Sequence, residues 1–271
     1  MKRMSLFDRV FLSLFVLWSL FPIYWLVGNS LKSEEFVERL PPRWIPDFNF
    51  SSYTAILQDE LIQRTLLNSL IVAVFATLIA VVLGSLAGFA LGQLSKTVSK
   101  EFEFWVLSSR MAPAVSVALP FFIIFQAIGI NDTLLGLILA HSLILVGLVT
   151  WILVETYRQI PKEIMEAAEI DGCSYWRVFS RVTLPLSRGG VIGAASISLL
   201  LSWNEFFLSL VLSSSNALTV QVALFRSIGY QTFDLGKLAA TSVIVVLPTV
   251  LIVSFFQKQL ISGLTFGAVK G

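Results

Sequence analysis

PKEIMEAAEIDGCSYWRVFSRVTLP, residues 161–185, is a charged stretch set between two long apolar runs, 133–154 and 189–212. Pro161 suits the first position of a helix, where its missing N–H costs nothing. The run after it reads as about three helical turns, and Gly172 is placed to end them in the left-handed cap conformation. Ser174 can start a second helix, in which Tyr175, Val178, Phe179 and Val182 recur at helical spacing as an apolar stripe. Pro185 lies where the chain must turn into the next run. The stretch therefore predicts a helix-turn-helix outside the membrane. Its first helix carries Glu163, Glu166, Glu169 and Asp171, too acidic to rest on lipid headgroups, and shows the small Ala167 and Ala168 beside Glu166. Small side chains let a helix sink into a groove of another protein, where a carboxylate can meet a basic group. Such a surface is built to dock.

The 271-residue chain is 56% hydrophobic and only 13% charged, against about 25% charged in soluble domains. Lipid must be the solvent for much of it. A net charge of +2 is too small to point to nucleic acid. Cys173 is the only cysteine, which excludes an internal disulfide, and His141 is the only histidine, which argues against a zinc site built by this chain alone. No GxxxxGK[ST] phosphate loop occurs, so nucleotide hydrolysis would belong to another polypeptide and the chain is not read as an enzyme.

A run of about 20 apolar residues crosses a hydrocarbon core about 30 Å thick. Runs near 10–30, 65–94, 104–130, 133–154, 189–212 and 238–260 meet this standard, predicting an all-α integral membrane protein with six transmembrane helices in one domain, 1–271. The first run follows Lys2, Arg3 and Arg9. It is longer than a usual signal segment and no Ala-x-Ala site follows, so it is read as a retained helix. Basic residues set the orientation. Lys2, Arg3, Arg9, Lys96, Lys100, Lys258, Lys270 and the basic residues of the 156–188 loop fall on one side, against Lys32, Arg39, Arg43, Arg64, Arg226 and Lys237 on the other. Both termini and the docking loop are therefore expected in the cytoplasm.

Within the second run Ala76, Ala80, Gly84, Gly88 and Gly92 put a small residue at every fourth position, a stripe suited to close helix packing. Pro113 and Pro120 should kink the third run, and Pro248 the sixth. Polar groups inside a bilayer are costly and mark function or interhelical hydrogen bonding. His141 on the fourth run and Ser202, Trp203, Asn204 and Glu205 on the fifth are the candidates for a substrate path. Hydrogen-bonding groups beside an aromatic ring suit a sugar, and helix–helix hydrogen bonds are the alternative use.

EAAEIDGCSYWRVFSRVTLP (166–185) resembles the Glu-Ala-Ala, three residues, Gly, nine residues, Ile, any residue, Leu-Pro signature of ABC importer permeases, with Val182 in place of the commoner isoleucine. WNEFFLSLVL (203–212) and the terminal GLTFGAVKG (263–271) are similar to the carbohydrate-uptake branch, in particular its second, six-helix, maltose-type permease. The resemblance implies a type I ABC importer permease fold. It makes 156–188 a coupling loop in which Glu166, Ala167, Ala168, Asp171, Gly172, Leu184 and Pro185 meet an ATPase subunit. It also makes 261–271 a tail whose Gly263, Gly267 and Gly271 reach the ATPase interface. The implied partners are a second permease in a heterodimer, an ATPase dimer that holds ATP and Mg, and a periplasmic or lipid-anchored solute-binding protein. The setting is the bacterial cytoplasmic (inner) membrane, and the chain itself would bind no cofactor or metal. The implied function is import of a sugar or sugar derivative; the alternatives are an ABC permease for a non-sugar solute and an ion-coupled secondary transporter. The last would need titratable groups at mid-membrane, and Glu205, in the outer half of the fifth run, is the only carboxylate well inside a run.

Overall fold

A computed structural model describes residues 5–108, 111–228 and 234–265. Every described element is helical. α1 (Leu6–Ser30) opens on a capping box between Ser5 and Asp8. The short α2 (Glu34–Val37) and α3 (Ser51–Gln58) precede the long α4 (Glu60–Gln93). α5 (Lys96–Ser108), α6 (Ala114–Ala127) and α7 (Leu134–Arg158) follow. α8 (Lys162–Ile170) and α9 (Tyr175–Val178) lead through a π turn, Phe179–Thr183, into α10 (Leu184–Leu186). The chain ends in α11 (Arg188–Trp203), α12 (Phe207–Leu212), α13 (Val220–Ser227) and α14 (Leu235–Thr265).

Contacts divide the chain into two compact units whose boundaries fall inside helices rather than in a linker. Met1–Arg64 with Ala223–Pro248 forms one of them. In it Lys237 pairs with Asp59 at 2.5 Å, and the Trp25 and Trp44 rings meet edge-on at 5.6 Å. Thr65–Val222 with Thr249–Gly271 forms the other, and α7 is its axis. One side of α7 packs through Leu145, Val149 and Leu153 onto Ala76 and Ala80 of α4 and Ala194 of α11. The other packs through Leu137 and Ala140 onto Phe125 of α6 and Leu208 of α12.

Among the described residues, Leu6–Ser30, Glu60–Gln93, Leu134–Arg158 and Leu235–Gln259 are long and apolar enough to cross a membrane. The other two expected spans are interrupted. Residues 104–130 do not form one helix. Their first part belongs to α5, whose Lys100, Glu101, Phe102 and Phe104 are exposed, and Pro113, extended at ψ 137°, starts α6 afresh. α6 has 14 residues, or about 21 Å at ~1.5 Å per residue. The expected helix 189–212 breaks at Asn204–Phe206, because side chains there compete for backbone groups. Asn204 Nδ2 donates to the Leu200 carbonyl, Gln221 to that of Trp203, and Glu205 accepts the N–H of Leu208. α14 runs through Gly263 to Thr265, beyond the expected end at 260.

Candidate functional site

The docking stretch is shaped by its caps. Pro161 sits at the N-cap of α8 (φ −53°, ψ 132°), one place before the expected first turn. Gly172, at φ 79°, closes the helix. The N–H of Cys173 bonds the Ala168 carbonyl and that of Gly172 bonds Glu169, each at 3.0 Å, the paired closure of a Schellman cap.

Phe179 anchors the second helix. Its ring lies 5.1 Å from Phe89 and joins the core around Tyr157 and Val149. The apolar stripe is not the one the spacing predicts. Val178 and Phe179 are buried, but Tyr175 is exposed and Thr183 turns inward where Val182 was expected. The cause is the π turn, in which Leu184 N–H reaches back five residues to Phe179 and so rotates everything after it. Pro185, which has no N–H, stands just beyond. Tyr175–Leu186 then meets α11 at 80°.

Glu166, Ala167, Asp171, Gly172 and Pro185 are exposed, while Ala168 and Leu184 are half-buried. The tip also presents Ile170 at 86%, Tyr175 at 68% and Trp176 at 65% exposure. Large apolar groups clustered on a polar loop mark a contact surface. Behind them a cavity of about 260 Å³ runs from Glu166 and Lys162 to Gln93 and Arg158.

The polar groups of the fourth and fifth runs meet at one seam. His141 Nδ1 lies 2.9 Å from Ser202 Oγ and Nε2 lies 3.3 Å from Ser209 Oγ, which ties α7 to α11 and α12. Glu205 shares a cavity of about 70 Å³ with His141 and Ser202. Trp203 is buried and Asn204 exposed; neither lines that cavity. The small stripe of α4 faces α7. A Cβ on Gly84 would stand 2.6 Å from Val149 Cγ1, one on Gly88 3.1 Å from Leu153 Cβ, and one on Gly92 3.9 Å from Tyr157 Cβ. Gly263 lies in the last turns of α14, while Gly267 and Gly271 lie outside the described residues.

Two polar staples had no sign in the spacing. Asn68 Nδ2 donates to the Leu218 carbonyl at 3.0 Å, and Ser69 Oγ accepts from Val220 N–H at 2.9 Å, so α4 holds the start of α13. The Asp132 carboxylate accepts the backbone N–H groups of Ser214, Ser215, Asn216 and Ala217 at 2.8–3.2 Å. Asn68, an amide within an apolar run, carried the one available signal, the cost of a buried polar group.

In the second unit apolar helices pack on α7 and the acidic loop of α8 and α9 is exposed, and the sequence holds no phosphate loop. Residues 80–265 match the family described as binding-protein-dependent transport system inner membrane component, and the chain belongs to it. It is a multi-pass inner-membrane permease component of an ABC transporter and not the ATPase. The trehalose transport system permease protein of Mycobacterium tuberculosis is 32% identical over 99% of each chain. The trehalose/maltose transport system permease protein of Thermococcus litoralis is 29% identical over 93% of this chain and 92% of its own. A crystal structure of a bacterial ABC transporter that imports the acidic polysaccharide alginate contains a chain of the same fold. Its TM-score is 0.80 at 20% identity, over 95% of this chain and 99% of that one. A second, with alginate pentasaccharide-bound periplasmic protein, matches at TM-score 0.69 and 16% identity, over 95% and 93%.

Proposed function

We propose that this permease imports a sugar or sugar derivative as one half of a permease heterodimer. A solute-binding protein, periplasmic or lipid-anchored, delivers the solute, and an ATPase dimer holding ATP and Mg drives the cycle. The relatives named for trehalose and maltose support the solute class. The excess of Lys and Arg in the 156–188 loop and at both chain ends supports a cytoplasmic placement for all three.

One observation carries the reading of the loop. Ile170, Tyr175 and Trp176 stand out in solvent on an element whose other side is locked into the core by Phe179. A partner that covers those three side chains gains a hydrophobic contact, and Glu166 beside them offers a charge to pair. Displacement of the tip is then carried through Phe179 to α4 and α7 as a rigid-body shift. Ala167 and Ala168 permit close approach, Asp171 and Gly172 make the turn, and Leu184 and Pro185 lead to the bend before α11. The tail from Gly263 through Gly267 to Gly271 reaches toward the same ATPase.

On the solute side, both ring nitrogens of His141 are engaged by serines, so His141 and Ser202 hold helices together, and Trp203 is buried. Asn204, exposed at the break of the fifth helix, and Glu205, which lines the small cavity there, are the groups assigned to face a solute.

The test is Glu166→Arg in the complex reconstituted with its binding protein and ATPase. We expect uptake and binding-protein-stimulated ATP hydrolysis to be lost while the permeases still assemble. Unchanged uptake would remove the coupling role.

A further inference from the structure

α5 is held to the protein by a polar cluster instead of an apolar face. Among its described side chains the buried ones are Ser99 and Glu103, while Phe102, Phe104 and Trp105 are exposed. Arg158, at the end of α7, lies over that pair. Its Nη2 donates to Glu103 Oε1 and to Ser99 Oγ, both at 2.6 Å. Its Nη1 donates to Glu155 Oε1 at 2.8 Å and to Glu103 Oε2 at 3.3 Å. Ser99 Oγ lies 2.8 Å from both Glu103 Oε1 and the Leu91 carbonyl of α4, with one proton to share between them. The guanidinium thus joins α7 to α5, and Ser99 carries the cluster on to α4.

The chemistry of this joint differs from the apolar seams around it. Greasy contacts between helices tolerate sliding, whereas a planar guanidinium forked onto a carboxylate fixes angle as well as distance. Removing Arg158 leaves the buried Glu103 carboxylate without its cation, while removing the Glu103 charge leaves Arg158 held only by Glu155 of its own helix and by Ser99. The joint also sits at a mechanical junction. Arg158 is three residues before Pro161, the N-cap of the first helix of the docking loop, and α5 precedes α6 in the chain.

We propose that Glu103 and Arg158 are positioning residues of the transport cycle, which lock α5 to the end of α7 so that the two move as one body with the docking loop. Displacement of the loop then reaches α5 through the clamp as well as α11 through the bend at Ser187. This inference rests on the coupling role given to the loop above.

The experiment uses the full reconstituted complex with Cys173→Ser in this chain. Glu103→Gln keeps the size of the side chain and removes its charge. Solute taken up per ATP hydrolysed is expected to fall severalfold, with the ATPase still bound in normal stoichiometry. The pair Glu103→Cys and Arg158→Cys is expected to show the same loss when reduced and to recover when a short bifunctional thiol reagent bridges the two positions. A purely structural role predicts lost assembly with an unchanged ratio, and that result overturns the proposal. So does a wild-type ratio in Glu103→Gln, or a bridged complex that stops transporting, since helices that must separate cannot be one body. Glu166→Arg is the control. If it leaves uptake intact, the coupling reading has failed. If it stops uptake while Glu103→Gln keeps the wild-type ratio, the clamp alone has failed.

Discussion

Cγ1 of Val149 stands 2.6 Å from the point a Cβ on Gly84 would occupy, and the Thr150 backbone nitrogen lies 3.0 Å from the same point. Neither obstacle can swing away, because valine is stiff at χ1 and the other atom is main chain. Overpacking of this kind costs about 1–3 kcal/mol, so Gly84→Ala is expected to lower the thermal unfolding midpoint of the purified complex. Gly88→Ala, with its nearest neighbour at 3.1 Å, should do so less. Gly92→Ala, at 3.9 Å, should be neutral or stabilising, since alanine in a helix is favoured over glycine by up to ~1 kcal/mol. Equal effects at the three positions would mean that the approach of α4 to α7 does not set them.

Asp132, itself at φ 55°, gathers the backbone of 214–217 and is hydrogen-bonded back through its own N–H to the Leu212 carbonyl at 3.0 Å. Partial burial opposes its charge, but the four backbone N–H groups outweigh burial and hold the carboxyl down to about 2 from an ordinary 3.8. A depressed folded value means that the staple contributes fully above the ordinary value and is lost as pH falls through the folded one. Resistance of the 213–217 loop to pepsin should therefore persist near pH 3.8 and fail as pH approaches about 2. Asp132→Asn, which offers one acceptor oxygen where the carboxylate offers two, should already be cleaved at the higher pH. Equal resistance of the two proteins across that window would count against the staple.

What could be read from the chain and what could not divide along one line. Signals contained within a few residues were legible: the long apolar runs of α1, α4, α7 and α14, and the turn at Gly172 between two helices. The interruptions were not. Pro113 was read as a kink within one span, yet with the polar α5 before it the helix restarts altogether. Asn204 and Glu205 break the fifth run partly through Gln221, which lies 18 residues beyond the Trp203 carbonyl it caps. Glu103 and Arg158 are 55 residues apart and Asp132 and Ser214 are 82 apart. Neither pair leaves a mark in the sequence, because periodicity carries no information about pairs that only folding assembles. The π turn belongs to the same class: one added residue moved Thr183 into the place expected for Val182.

The seam at His141 allows its two possible uses to be told apart by kinetics. Both imidazole nitrogens lie within hydrogen-bonding reach of Ser202 and Ser209, so a solute would have to displace one of them. His141→Leu and Ser202→Ala should each destabilise by roughly 1 kcal/mol. Combined, they should cost less than the sum, with a coupling of about 0.5 kcal/mol or more. The KM for the transported solute should stay at its wild-type value in all three variants. A raised KM in His141→Leu with stability intact would move the imidazole from the helix seam to the solute.

Gly172 is the position where backbone conformation, and not space, limits the side chain. Nothing stands within 4 Å of a Cβ there, but φ is 79°. An L residue in the left-handed region costs roughly 1–2 kcal/mol, less for asparagine, which bonds locally to its own backbone. Gly172→Val should therefore loosen the turn between α8 and α9 and reduce the ATPase retained on the purified complex, while Gly172→Asn should retain most of it. Gly189, equally open but at an ordinary φ inside α11, supplies the comparison: Gly189→Ala should leave ATPase retention unchanged. If asparagine at 172 proves as damaging as valine, the left-handed cap is not what holds Ile170 and Tyr175 in register for docking, and the cause would have to be sought in a partner surface that tolerates no side chain at that point.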